Sequence, residues 1–143
     1  MKKKSKENST VNTAFGVLLL ILSIALCVGA KLVFHACGQT DEGKWMACHW
    51  AEQAAAALGG SMTVTAIILL CMKKSSAKFG IALAIIPQAI AAALIPNTLI
   101  RLCMMEDMRC HTVMKPAVII ISAAAAVLAV VCAVINARSG DRQ

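Results

Sequence analysis

The chain has no tyrosine, three phenylalanines and two tryptophans, and only 15% of its 143 residues are charged. Hydrophobic residues make up 59%. A soluble domain of this length needs more polar surface to face water, so a water-soluble fold is excluded. Charge is also missing at depth: no Asp, Glu, Arg or His falls at the centre of a long apolar run. That argues against a proton relay or an ion pathway across a membrane. The chain contains no C-x-x-C-H, so covalent haem attachment is not indicated, and its cysteines never fall at C-x-x-C spacing.

What the chain does have is four apolar runs, at 13–34, 51–72, 79–100 and 116–137. Each run, of about 22 residues, reaches roughly 33 Å as a helix, enough for a hydrocarbon core of about 30 Å. The expected fold is an all-α membrane protein, a four-transmembrane-helix bundle in a single domain over 1–143. Its connections are short, at 35–50, 73–78 and 101–115.

The net charge of +7 is distributed by side. Lys2, Lys3, Lys4, Lys6, Lys73, Lys74, Lys78, Arg138 and Arg142 meet only Glu7 and Asp141 on one side of the expected bundle. On the other side Lys31, Lys44, Arg101, Arg109 and Lys115 are balanced by Asp41, Glu42, Glu52, Glu106 and Asp107. The positive-inside rule then places both termini and the 73–78 loop in the cytoplasm. Basic residues arranged this way are topology determinants that touch anionic lipid, and nucleic acid is not an expected partner. Lysines ahead of an apolar run also describe a signal peptide, and Val28-Gly29-Ala30 resembles a cleavage site. The run is long for a signal sequence, and losing it would spoil the charge asymmetry, so helix 1 is read as an uncleaved anchor.

Along the chain, Lys31 should snorkel to the interface, and Trp45 and Trp50 suit an interfacial belt. Gly38 and Gly43 mark a polar turn. Glu52 is expected in the first turn of helix 2, facing the positive end of its dipole. The pairs Ala56/Gly60 and Ala57/Ser61, and the stripe Ser122, Ala126, Ala129, Ala133, allow close helix approach in lipid. Pro87 and Pro96 should bend helix 3, with Gln88 and Asn97 bonding to freed carbonyls or a neighbouring helix.

Met46-Ala47-Cys48-His49 and Met108-Arg109-Cys110-His111 echo one another 62 residues apart, each just before the second helix of a hairpin. Two repeated hairpins, helices 1–2 and 3–4, would be related by a pseudo-two-fold axis along the membrane normal. The external side would hold His35, His49 and His111, with Cys37, Cys48, Cys103 and Cys110. Cys27, Cys71 and Cys132 are read as small packing residues.

Three readings of the external set compete. In the first, the four cysteines form disulfides, Cys37 with Cys48 and Cys103 with Cys110 being the local pairing among three connectivities. In the second, a soft metal (copper or zinc) or haem is held by Cys48, His49, Cys110 and His111 with thioethers from Met104, Met105 and Met108. Neighbouring Cys and His diverge by about 100° on a helix, which opposes that set. With the cysteines oxidised, His49 and His111 would remain as a pair across the pseudo-two-fold axis, with Glu52 available to orient a ligand. In the third, the layout is that of a quinone-linked thiol–disulfide oxidoreductase, without the C-x-x-C spacing such enzymes use.

The blocks W-M-x-C-H-W at 45–50, I-P-N at 95–97 and L-C-M-x-x-x-M-R-C-H-T-V at 102–113 resemble a family of small bacterial four-span membrane proteins described as a domain of unknown function. The resemblance covers residues 34 to about 117. It implies the four-span topology in a bacterial cytoplasmic (inner) membrane and singles out Cys37, Cys48, His49, Cys103, Cys110 and His111. It carries no established activity. The expected role is non-enzymatic: an accessory or binding subunit, of an export permease for example, or a homo-oligomer.

Overall fold

A computed structural model describes residues 2–33, 42–45, 47–96, 98–102 and 110–140, with side chains in the first helix from Thr10 onward. Four helices account for nearly all of it: α1 (Lys2–Leu32), α2 (Ala47–Cys71), α3 (Ser75–Leu94) and α4 (Lys115–Gly140). A π-helical turn, Cys110–Met114, leads directly into α4. All four helices are long and apolar enough to cross a membrane. The physical reason is that a chain in lipid must satisfy its backbone groups internally, and a helix does so within one segment.

Neighbours in sequence are neighbours in space. α1 packs along α2 and α3 along α4, with smaller interfaces between α2 and α3 and between α1 and α4. The helices therefore form a ring, with α2 and α4 across the bundle from one another. Large aliphatic side chains point outward on every helix, among them Ile21, Val64, Ile67, Leu83, Ile90, Ile120 and Val127. The interior instead favours small residues such as Ala30, Ala55, Ala66, Ala82, Ala89 and Ala129. This inside-out distribution suits a bundle solvated by hydrocarbon, where close backbone approach replaces hydrophobic burial as the source of cohesion.

The tightest approach is at Gly59. A Cβ there would lie 2.7 Å from the backbone nitrogen of Cys27 and 2.9 Å from its Cα. Of the expected small pairs, Ala56 is buried and Gly60 half-buried, but Ala57 and Ser61 face outward. The crossing is therefore centred on Gly59, one residue from the place the spacing pointed to. Ser61 has a different use. Its hydroxyl donates to Gln88 Oε1 (2.8 Å), while Gln88 Nε2 donates to the carbonyl of Ala84 (3.2 Å), joining α2 to α3. α1 and α4 are joined near the chain termini by a reciprocal amide pair. Asn12 Nδ2 donates to Asn136 Oδ1 (2.7 Å) and Asn136 Nδ2 donates to Asn12 Oδ1 (3.1 Å).

Helix limits depart from the hydropathy reading in informative ways. α3 runs through Pro87 without interruption and stops at Leu94, short of 100. Pro96 has no N–H to continue the ladder. The open carbonyls of Leu94 and Ile95 are instead taken by the amides of Leu99 and Ile100 (3.0 and 3.1 Å) in a wide turn. Asn97 lies outside the described residues. α2 begins at Ala47, so Glu52 falls in its second turn rather than its first.

The repeat is visible in burial. In α1, and in α3 and the two residues following it, the buried positions match at an offset of 66: Gly16/Ala82, Leu19/Ile85, Ser23/Ala89, Leu26/Ala92, Gly29/Ile95 and Ala30/Pro96. In α2 and α4 six pairs match at 63: Ala51/Met114, Ala55/Val118, Gly59/Ser122, Met62/Ala125, Ala66/Ala129 and Leu69/Cys132, while Glu52, Ala56, Ala133 and Asn136 have no buried counterpart. Only Cys48/Cys110 stands at 62. One extra residue thus lies between Cys110 and Met114, which is the span of the π turn. A π turn accommodates one more residue than an α turn, so Cys110 keeps the inward direction of Cys48 despite the insertion.

Candidate functional site at the cap end of the bundle

Opposite the chain termini, the ends of the helices gather the residues with chemistry. Cys48 and Cys110 are both fully buried, on α2 and on the π turn before α4. They are equivalent positions of the two hairpins and occupy opposite corners of the ring. Among the described residues no disulfide is formed. Cys37 and Cys103, expected to be their partners, lie outside the described residues, as do His35, Met104, Met105 and Met108.

His49 follows Cys48 on the helix and lies on its flank, half-buried. The rotation of about 100° between consecutive helical residues separates the two side chains, as expected. Its ring stacks on Trp45, with centroids 4.1 Å apart and planes at 21°, and meets Trp50 edge-on at 5.8 Å and 75°. Offset stacking and edge contacts are the favourable arrangements for aromatic rings. The ring Nε2 lies 3.4 Å from Gln53 Nε2, one helical turn on. The tryptophans remain 50% and 60% exposed, so the far face of the stack is open. Gly43, with φ +74, supplies the left-handed turn that brings Trp45 back onto the helix.

Glu52 turns the other way. Its Oε1 lies 3.2 Å from Lys31 Nζ, with side chains 10% and 37% exposed respectively. Lys31 lies in the last turn of α1 and Glu52 is buried on α2, so this ion pair ties the two helices at the cap end. Gln53 is the side chain placed beside the His49 ring nitrogen among the described residues. His111, in the π turn, is half-buried. Among the described residues no three His, Cys, Asp or Glu side chains converge as metal ligands would. Of the remaining cysteines, Cys132 is buried and Cys27 half-buried against α2, while Cys71, read as packing, is exposed at the end of its helix.

Sequence reasoning missed three parts of this arrangement. The Lys31–Glu52 pair had a signal: opposite charges near the adjoining ends of consecutive antiparallel helices. The His49–Trp45 stack had a weaker one, in the i,i+4 spacing of two rings. The π turn was legible only in the one-residue disagreement between the Cys-His echo and the burial repeat.

Four membrane-length helices around a core of small residues, with aliphatic side chains outward, define a multi-pass α-helical membrane protein. The chain belongs to the family described as domain of unknown function (DUF4418), whose profile matches residues 19–135. No curated protein and no solved structure matches it.

Proposed function

We propose that the protein is a non-enzymatic accessory or binding subunit of a bacterial cytoplasmic membrane, with both termini cytoplasmic and an external cap stapled by disulfides. A membrane protein, such as an export permease, is the partner class this reading suggests. The observation that carries it is the equivalent, complete burial of Cys48 and Cys110, which the π turn maintains in the second hairpin. A sulfur fixed in the core at the base of each connection is suited to anchor that connection, through Cys37 in one and Cys103 in the other. Each bridge would contribute about 2–3 kcal/mol by restricting a loop. The half-exposed Trp45 and Trp50, held by His49, then offer a rigid aromatic face for a partner, the kind of side chain that dominates binding surfaces.

The same observation weighs against the other readings. Copper, zinc or haem on Cys48 and His49 together would need two side chains that point to different sides of the helix. A quinone-linked oxidoreductase needs a thiol that substrate can reach, and burial denies that to Cys48 and Cys110. Alkylation of thiols in membranes dissolved in a denaturing detergent, with and without prior reduction and followed by mass spectrometry, tests the proposal. Cys71 should react at once, whereas Cys37, Cys48, Cys103 and Cys110 should become reactive only after reduction. Four cap thiols alkylated without reduction would refute the stapled cap, and stoichiometric copper or zinc in the protein purified without denaturation would establish the metal reading.

A further inference from the structure

We propose that the seam between α1 and α4 holds an acyl chain of an anionic phospholipid whose headgroup rests on the basic end of the bundle. The proposal is independent of the cap. The two seams that join the hairpins are equivalent under the repeat, but they are built differently. In the α2–α3 seam, Ser61 and Gln88 bridge the helices. Their counterparts in the α1–α4 seam, by the offsets of 63 and 66, are Ala124 and Leu22. Neither can form such a bridge, and a groove of about 510 Å³ opens there, lined by Leu18, Leu22, Ala123, Ala124, Val127 and Leu128. Every lining residue is aliphatic, so the groove can recognise only hydrocarbon. A polar helix face or a charged ligand would lose hydrogen bonds in it.

Charge identifies which hydrocarbon. Arg138 lies eleven residues beyond Val127, about three turns on the same face of α4, exposed at the end of the helix. That separation is about 16 Å along the helix, matching the roughly 15 Å half-thickness of a hydrocarbon core. A lipid with its phosphate at Arg138 therefore places the end of its tail in the groove. α1 begins at the same end, with lysines at 2, 3, 4 and 6. Basic clusters between helix ends are the usual receptors of anionic headgroups.

The test is native mass spectrometry of the full chain in detergent, titrated with an equimolar mixture of phosphatidylglycerol and phosphatidylcholine of identical tails. Retained phosphatidylglycerol should exceed phosphatidylcholine by about fivefold for each cation engaged. Arg138→Gln should lower that preference by about fivefold while leaving phosphatidylcholine unchanged. Ala124→Phe should fill the groove and reduce retention of both lipids, and the milder Ala123→Leu should act in the same direction. Ile90→Phe, on the exposed face of α3, should change neither. Equal retention of the two lipids would overturn the proposal, as would groove variants that retain phosphatidylglycerol normally. A dimer converted to monomer by Ala123→Leu would assign the groove to a second copy and overturn it equally.

Discussion

Lys31 and Glu52 show how one contact can be anchored by charge in a protein with little charge. Glu52 is buried, and Lys31 is partly open to the interface. Breaking a buried pair from one side leaves an uncompensated charge, at a cost of about 3–5 kcal/mol when both groups are inaccessible. Partial exposure of Lys31 brings the expected cost of Lys31→Met to about 1–2 kcal/mol. The double variant Lys31→Met/Glu52→Met should recover most of that loss, since two apolar groups need no partner. Thermal unfolding of the three proteins in one detergent measures the difference, and a double variant less stable than Lys31→Met would show that the carboxylate has a role beyond the pair. The residues themselves were legible in the sequence as an interfacial lysine and a helix-start carboxylate. Their pairing was not, because it depends on where α2 begins, and hydropathy does not register the four residues from Ala47 to Trp50 as part of the helix.

At the scale of the element, the π turn before α4 is where local and global requirements meet. α4 carries one residue more than α2 between its buried cysteine and the next core position, and an ordinary α turn would rotate Cys110 by about 100° out of the core. The wider turn removes that conflict. Deletion of the exposed Val113 should therefore convert the segment to regular α-helix with Cys110 still inward, as Cys48 is. The expected result is a stability within about 0.5 kcal/mol of the parent and a Cys110 that stays protected from alkylation in the reduced, folded protein. An alkylated Cys110 would show that the π turn serves some other purpose. Helix existence and number could be read from hydropathy because lipid leaves the backbone no alternative. Ends could not: Pro96 stops α3 six residues early, and a wide turn then takes its last carbonyls. Close packing was half legible, since Ala56 and Gly60 flagged the right turn of α2 but the contact itself falls on Gly59.

At the scale of the whole molecule, two hairpins with matching burial form a ring of four helices, and the differences between them are as informative as the likeness. The cap keeps a buried cysteine in each half. The seams differ, one bridged by Ser61 and Gln88 and the other open in mid-membrane and clasped by Asn12 and Asn136 near the termini. The bundle places the start of α1, the end of α4 and the 72–74 connection at one end, with residues 42–45 and 98–102 at the other, and the charge asymmetry is the ground for proposing that the first end is cytoplasmic. The most direct measurement of that arrangement is labelling of intact cells with a membrane-impermeant maleimide, in a Cys71→Ser background. Single reporters at Thr98→Cys, between α3 and the π turn, and Ser76→Cys, at the start of α3, are both exposed positions. The account predicts that Thr98→Cys is labelled in intact cells and Ser76→Cys only after the membrane is permeabilised. Labelling of Ser76→Cys in intact cells, or equal labelling of both, would contradict it.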